Sequence, residues 1–259
     1  MGKARPASRG FRRCAVKLSR CIPAWVFAWV LFLGCLSPVA AQELSGTTAT
    51  SNANKENLDL PYDAAGTPEE DEDPPEIVTF YGQQMEGDGI FYVIDKSSTM
   101  HDEGELEIAK REVIRNIREF SARAQFAIVF FSDDVIKFPA SGMPAEASPA
   151  MKAAAISFVQ AVVYKIWTCP QQGLSQGLRF ANMATSKRKV LIYVGDGGGT
   201  CQGADEATYL RQTLGCITSM NFQRVQINCI GVLNPTPLGV DFMKRLSAAN
   251  GGTYTRITR

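Results

Sequence analysis

Two acidic residues and three hydroxyl residues stand in short polar segments of an otherwise apolar region. Asp95, Ser97 and Thr99 occupy alternate positions after an apolar run, and Thr168 and Asp196 stand in two later segments. Carboxylate and hydroxyl oxygens are hard ligands of the kind that Mg²⁺ and Mn²⁺ take, usually together with retained waters. These residue types therefore predict a divalent-cation site, Mg²⁺ or alternatively Mn²⁺.

Histidine content and charge distribution exclude two other functions. His101 is the single histidine, which rules out most histidine-rich zinc sites and any mechanism that needs two imidazoles. Residues 77–259 hold 16 acidic and 19 basic side chains, without a basic stripe or an aromatic-interleaved patch. A nucleic acid is therefore not an expected partner.

Apolar runs alternate with amphipathic stretches from position 77 onward, which predicts strands that alternate with helices. The run 90–94 is apolar throughout, as in a strand that is buried on both faces of a parallel sheet. A helix that begins at Asp102 is expected to follow it. Further strands are predicted at 126–131, 135–138, 190–194, 225–232 and 253–257, and helices near 148–163, 171–184, 205–220 and 238–249.

This order of elements predicts one α/β domain over 77–259. The sheet is expected to be doubly wound, Rossmann-like and mostly parallel, with helices on both faces. The turn at 132–134 makes 135–138 an antiparallel edge strand. Because ligands of open α/β sheets bind beyond the carboxyl ends of the strands, the polar segments 95–100, 167–169 and 195–200 are expected to meet there.

The run from Asp95 to Met100, with the sequence DKSSTM, resembles the DxSxS signature of the metal-ion-dependent adhesion site in von Willebrand factor type A (vWA) domains. Thr168 stands where that family has the threonine of its second metal loop. Asp196 stands where it has the aspartate of its third. The resemblance extends along 77–259, with all three loops in the family's order.

The resemblance implies a role for each of the five residues. Ser97 and Thr99 would bind the cation directly, and Thr168 directly or through water. Asp95 and Asp196 would act largely through water. The remaining coordination position would accept an acidic side chain of a protein or another surface ligand.

Two positions depart from the family pattern. Ser98 replaces the usual Gly, which restricts φ, and Thr99 replaces the usual Ser, which keeps the hydroxyl but is stiffer at χ1. We therefore expect weaker metal binding than is typical of the family.

The resemblance also implies a disulfide. Cys169 directly follows Thr168 and Cys201 lies five residues past Asp196, so the family fold would bring both to the metal face. A Cys169–Cys201 bond suits an oxidising compartment. Cys216 and Cys229 are expected to be small buried hydrophobic residues rather than a second bond.

The N-terminal segment has the composition of an export signal. Seven basic and no acidic residues lie in the first 41 positions, and the apolar run 24–36 ends in small residues up to Ala41. This order predicts a signal peptide over 1–41, a mature chain that begins at Gln42, and a secreted or cell-envelope protein, periplasmic or extracellular.

Three alternatives concern this segment: an uncleaved membrane anchor, a twin-arginine signal at Arg12 and Arg13, and a lipid-modified Cys35. The apolar run is short for a membrane span of about 20 residues. The following residues, 42–76, hold ten acidic side chains and one lysine. They are predicted to form a disordered linker, because such a composition buries too little apolar surface to fold.

Three functions are compatible with these features. The leading hypothesis is metal-dependent protein binding or adhesion by an exported vWA-like domain. The second is a structural or assembly module with a weak or empty metal site. The third takes the Asp95 segment as the nucleophile loop of a haloacid dehalogenase-like phosphatase, but that family has a second Asp where Ser97 stands. The chain is therefore not expected to be an enzyme.

Overall fold

Strands and helices alternate along the chain in the computed structural model, which describes residues 74–233 and 235–258. The strands are β1 Glu76–Phe80, β2 Gln83–Gly87, β3 Gly89–Asp95, β4 Gln125–Phe131, β5 Val135–Phe138, β6 Ala145–Glu146, β7 Lys189–Gly195, β8 Gln226–Gly231 and β9 Tyr254–Arg256. The helices are α1 Ser98–Asp102, α2 Glu105–Glu119, α3 Pro149–Gln160, α4 Pro170–Met183, α5 Glu206–Met220 and α6 Pro237–Ala249.

The central sheet has the order β5-β4-β3-β7-β8-β9, and the short β6 pairs with β4. Strands β3, β4, β7, β8 and β9 are parallel, whereas β5 and β6 run antiparallel to β4. The predicted α/β class, with a mostly parallel sheet and an antiparallel edge strand, is confirmed. Strand β4 lies on one side of β3 in the sheet and β7 on the other, so the direction in which successive strands are added reverses at β3.

Strand β3 lies at the centre of two apolar cores. Ile90, Tyr92 and Ile94 pack with residues of α2 and α3 on one face. Phe91 and Val93 pack with residues of α4, α5 and α6 on the other. All five side chains are completely buried, which explains the continuous apolar run at positions 90–94.

Two features near the start of the domain were not predicted. Strands β1 and β2 form an antiparallel hairpin, whose turn places Tyr81 and Gly82 at positive φ. Strand β2 is polar apart from the buried Met85, so its sequence lacks the apolar alternation of a strand. The predicted helix start at Asp102 is wrong, because Asp102 ends α1 and Gly104, in the left-handed conformation, precedes α2.

The predicted signal peptide over 1–41 and the linker up to position 73 lie outside the described residues. In the part of the chain that the structure describes, no helix combines the length and the apolar character needed to span a membrane.

Two glycines let α4 lie close to the sheet. A Cβ atom at Gly177 would overlap Val93 Cγ2, and one at Gly173 would lie 2.6 Å from the ring of Phe131. Helix α4 begins two residues after Thr168. The close approach of α4 to β3 and β4 therefore also sets the position of the loop that carries Thr168.

Substitution of Gly177 by Ala is expected to destabilise the domain by about 1–3 kcal/mol, because the added methyl group has no space beside Val93. Gly215→Ala is the matched control, since a Cβ at this exposed position of α5 meets nothing within 4 Å. Alanine there should stabilise the helix by about 0.5–1 kcal/mol. Urea unfolding monitored by circular dichroism measures both changes, and equal stability of Gly177→Ala and the wild type would contradict the packing described here.

Candidate metal centre

The carboxyl ends of the central strands carry the predicted metal segments, and backbone hydrogen bonds tie these segments together. Lys96 N donates to Phe131 O at 2.9 Å, and Lys165 N donates to Lys96 O at 2.9 Å. Cys169 N donates to Ser132 O at 3.0 Å. The end of β3, the turn after β4 and the loop before α4 are thus held side by side at the point where the strand order reverses, which is where open α/β sheets bind ligands.

Asp95 is the last residue of β3 and is completely buried. Its Oδ1 accepts a hydrogen bond from Ser97 N at 2.7 Å. Its Oδ2 is also buried and has no hydrogen-bond partner among the described residues. A Cβ at Gly195, the last residue of β7, would lie 3.4 Å from this oxygen, so the glycine leaves space beside the carboxylate.

The surroundings of Asp95 disfavour its charged form. Burial raises the pKa of Asp95 well above its usual range, and the nearby carboxylate of Asp196 raises the pKa further. The hydrogen bonds from Ser97 act in the opposite direction but do not offset these effects. A cation beside the two carboxylates would offset both effects, because it supplies the opposite charge.

Ser97 and Thr99 present their hydroxyl groups on the same side of the loop, with Oγ and Oγ1 3.4 Å apart. Ser97 is buried and stands at the N-cap of α1, yet its side chain makes no capping hydrogen bond. Serine at this position usually caps the helix. The hydroxyl of Ser97 is therefore directed toward Asp95 and Thr99 and not toward the helix backbone.

Asp196 follows β7 and is half-buried. Its Oδ1 accepts a hydrogen bond from Gly198 N at 2.9 Å, and Gly197 between them has a positive φ of 75°. A Cβ at Gly197 would lie 2.8 Å from Gly239 O in the first turn of α6, so only glycine allows this approach. The loop is thereby fixed against α6 with the Asp196 carboxylate near Asp95.

Thr168 is buried in the loop before α4, between Lys165 and Cys169, whose amides are bonded to the two neighbouring segments. The structure thus brings Asp95, Ser97 and Thr99 together with Asp196, and it places Thr168 in the adjoining loop. The roles of all five as metal ligands stay a prediction.

Tyr193 is a polar residue near this cluster that sequence analysis missed. Burial raises the pKa of its phenol well above the usual range, and Asp95 and Asp196 raise the pKa further. The Tyr193 hydroxyl is buried and has no hydrogen-bond partner among the described residues. Because Tyr193 lies inside an apolar strand, the sequence pattern indicates only core packing.

The donor set fits a divalent cation that takes oxygen ligands. Two neighbouring carboxylates supply negative charge, one buried carboxylate oxygen is unpaired, and two hydroxyl groups lie together. Over 74–233 and 235–258 no group of three or more His, Cys, Asp or Glu side chains is placed to hold a metal. An ion held by Asp95, Ser97, Thr99, Thr168 and Asp196 would therefore depend on hydroxyl groups and water as well as carboxylates, as Mg²⁺ does in proteins.

Comparison with solved structures identifies the fold. The structure superposes on a von Willebrand factor type A protein from Catenulispora acidiphila with a TM-score of 0.58 and 20% identity, covering 66% of this chain and 38% of that one. It also superposes on the vWF domain of the type V pili tip protein Mfa5 from Porphyromonas gingivalis, with a TM-score of 0.53 and 12% identity, covering 65% of this chain and 89% of that one. The described part of the chain has the vWA fold.

A third similar structure is the pilus adhesin SpaC from Lactobacillus rhamnosus GG in its open conformation. It has a TM-score of 0.51 and 14% identity, covering 66% of this chain and 28% of SpaC. This chain therefore spans well under half of the Catenulispora protein and of SpaC. No protein-family profile matches the sequence, and no curated protein sequence is similar to it.

An ion-pair network around the buried side chain of Lys96 supports the loops that carry the predicted metal residues. The side chain of Lys96 is buried, and its Nζ lies 2.6 Å from Asp134 Oδ1. Lys165 Nζ lies 2.9 Å from Asp134 Oδ2. Burial alone would raise the pKa of Asp134, but the hydrogen bonds from Lys96 and Lys165 lower it to about 2. Asp134 thus neutralises the lysine next to Asp95 and ties the turn after β4 to the loop before α4.

Cys169 and Cys201 are joined by a disulfide in the structure. The bond connects the N-cap residue of α4, next to Thr168, with a 3₁₀ turn at Cys201–Gly203 that follows the Asp196 loop. Cys229 is buried and Cys216 half-buried, and both are free thiols. The loop that carries Thr168 and the loop that follows Asp196 are therefore covalently linked.

Asp134→Asn is expected to destabilise the domain by about 1–3 kcal/mol at neutral pH, because it leaves the buried Lys96 ammonium without an anionic partner. The pKa of Asp134 is depressed in the folded state, so its stabilising contribution is present above the unfolded value of about 4. The difference between wild type and variant should therefore shrink as the pH falls from about 4 to about 2. Chemical unfolding at a series of pH values measures it.

Asp133→Asn is the control for this prediction. Asp133 Oδ1 is 3.8 Å from Lys165 Nζ, and it makes no ion pair with Lys96 among the described residues. Its substitution should have a clearly smaller effect at neutral pH. A pH-independent loss of stability in Asp134→Asn would contradict the assigned role of the Asp134 charge.

Proposed function

We propose that this vWA domain binds Mg²⁺ or Mn²⁺ through Asp95, Ser97, Thr99, Thr168 and Asp196 and uses the ion to bind a protein or surface partner. The partner supplies an acidic side chain that completes the coordination shell of the ion. The observation that carries the proposal is the unpaired, fully buried Oδ2 of Asp95.

A bound ion would offset the free-energy cost of burying the Asp95 carboxylate. A buried charged group without a partner costs several kcal/mol, and proteins avoid this by protonation, pairing or metal binding. The carboxylate of Asp196 lies close enough to disfavour the charged form of Asp95, and Lys96 is already paired with Asp134. A divalent cation is a source of compensating charge that also suits the neighbouring hydroxyl groups.

Adhesion is the biological role that we infer for this binding. Two of the similar structures are named as a pilus adhesin and as the vWF domain of a pili tip protein. At 12–14% identity, their likeness to this chain is one of fold. Export by the predicted signal peptide, to the cell envelope or beyond it, is part of the same proposal.

We infer a binding role rather than an enzymatic one. His101, the only imidazole of the chain, stacks on Tyr164 at the surface, with ring centroids 3.9 Å apart. Ser97 occupies the position where a haloacid dehalogenase-like phosphatase carries its second Asp. The Asp95 loop therefore lacks the second carboxylate, which would act as general acid and base in that hydrolysis.

The neighbouring serines provide a matched test of metal binding. Ser97→Ala removes a proposed ligand and is expected to weaken Mg²⁺ and Mn²⁺ affinity about tenfold or more. Ser98→Ala removes an exposed hydroxyl whose Oγ lies 3.5 Å from Ile166 O, and it should leave affinity close to the wild-type value. Isothermal titration of both ions into both variants measures the difference.

Asp95→Ala extends this test to the residue on which the proposal rests. Heats indistinguishable from those of the wild type would reject metal binding at this site. Circular dichroism of the same samples verifies that each variant is folded. A domain that binds neither ion would instead be the structural or assembly module, in agreement with the departures at Ser98 and Thr99.

A further inference from the structure

Four large apolar side chains are exposed on the loop that leads to Thr168. Val163 and Ile166 are 70% and 72% exposed, and Tyr164 and Trp167 are also exposed. The described residues contain nine exposed large hydrophobic side chains, and four of them lie within these five positions. Scattered apolar residues are ordinary on a surface, whereas a contiguous group marks an interaction site. We call these four residues the apolar rim.

The rim is held in place from the metal side of the loop. Lys165, in its middle, forms a parallel bridge with Ser97, and Ser98 Oγ donates to Ile166 O at 3.5 Å. Tyr164 stacks on His101 with an interplanar angle of 8°. The exposed side chains therefore project from a backbone that is bonded to the Asp95 loop.

The position of the rim joins it to the candidate metal centre. Trp167 directly precedes Thr168, and Ile166 is bonded to the residue between Ser97 and Thr99. A partner whose side chain reaches an ion at these hydroxyl groups would have the rim beside it. The apolar surface and the acid-binding position would thus form one continuous surface.

The charge of the loop indicates which partner suits it. Lys165 is the one charged residue among positions 163–167, and its ammonium lies 2.9 Å from Asp134 and 3.8 Å from Asp133. The rim therefore offers apolar area without a free cation. Aromatic and aliphatic side chains, which dominate the buried centres of protein interfaces, would pack there, whereas a polyanion would find no additional positive charge.

We propose that the apolar rim is the second half of the partner-binding surface, and that the partner is a protein segment in which an Asp or Glu is flanked by aliphatic or aromatic residues. This inference rests on the proposed metal-dependent function. The acidic side chain would bind the ion, and its apolar neighbours would cover Val163, Ile166 and Trp167.

A random peptide library displayed on phage, selected on the full chain in Mg²⁺, tests the proposal. Selected peptides are expected to carry an acidic residue within a few positions of apolar ones. Synthetic copies should bind the double variant Ile166→Ser, Trp167→Ser at least tenfold more weakly than the wild type. Phe222→Ser is the matched control, because Phe222 is 73% exposed but precedes β8, at the amino-terminal end of the parallel strands and opposite the Asp95 loop. It should leave peptide affinity unchanged.

Mg²⁺ titration separates failure of this inference from failure of the proposed function. The double variant should bind Mg²⁺ as the wild type does, because it changes no proposed ligand. If the wild type binds no Mg²⁺, or if peptides bind equally well in EDTA, the metal-dependent function itself is wrong.

If metal binding and EDTA sensitivity hold but the double variant retains full peptide affinity, the apolar rim is not part of the surface. Failure to select any peptide would also overturn the proposal. The proposal would also be wrong if the double variant kept its affinity for peptides but lost self-association or binding to phosphatidylcholine vesicles. The rim would then bind a second copy of the chain or a lipid surface.

Discussion

A buried carboxylate requires a proton, a paired charge or a bound cation. Asp95 is such a carboxylate, and it lies at the centre of the domain. It ends the central strand β3, where both faces of the sheet are covered and the strand order reverses. Its Oδ1 is bonded to the backbone of Ser97 and its Oδ2 to no described residue. The neighbouring carboxylate of Asp196 further disfavours the charged form of Asp95. Lys96 does not form an ion pair with Asp95, because its ammonium is paired with Asp134.

The surrounding structure keeps this arrangement in place. Gly195 leaves space beside the Asp95 carboxylate, and Gly197 allows the Asp196 loop to lie against α6. The Cys169–Cys201 bond links that loop to the one before α4. Interiors pack as densely as organic crystals, so small residues at these points determine where the side chains of the site can lie. The positions of the polar side chains at the carboxyl ends of the strands therefore depend on the close packing of the residues around them.

The sequence predicts those features of the fold and the candidate site that depend on a single segment of chain. The continuous apolar run of β3 and the alternate positions of Asp95, Ser97 and Thr99 are visible in single stretches of chain. The β1–β2 hairpin could not be predicted, because its second strand is polar and is formed by pairing rather than by its own pattern. The proximity of Tyr193 to Asp95, the Lys96–Asp134 pair and the exposure of the 163–167 loop depend on contacts between distant segments, which no local pattern records.

Anomalous scattering from crystals grown with Mn²⁺ tests most directly whether the carboxyl end of β3 binds a divalent cation. We expect an anomalous peak beside Asp95 Oδ2 and within coordination distance of the Ser97 and Thr99 hydroxyl groups, and the absence of that peak in crystals of Asp95→Ala. A well-ordered loop with no anomalous density at millimolar Mn²⁺, or a peak only elsewhere on the domain, would contradict metal binding at this site.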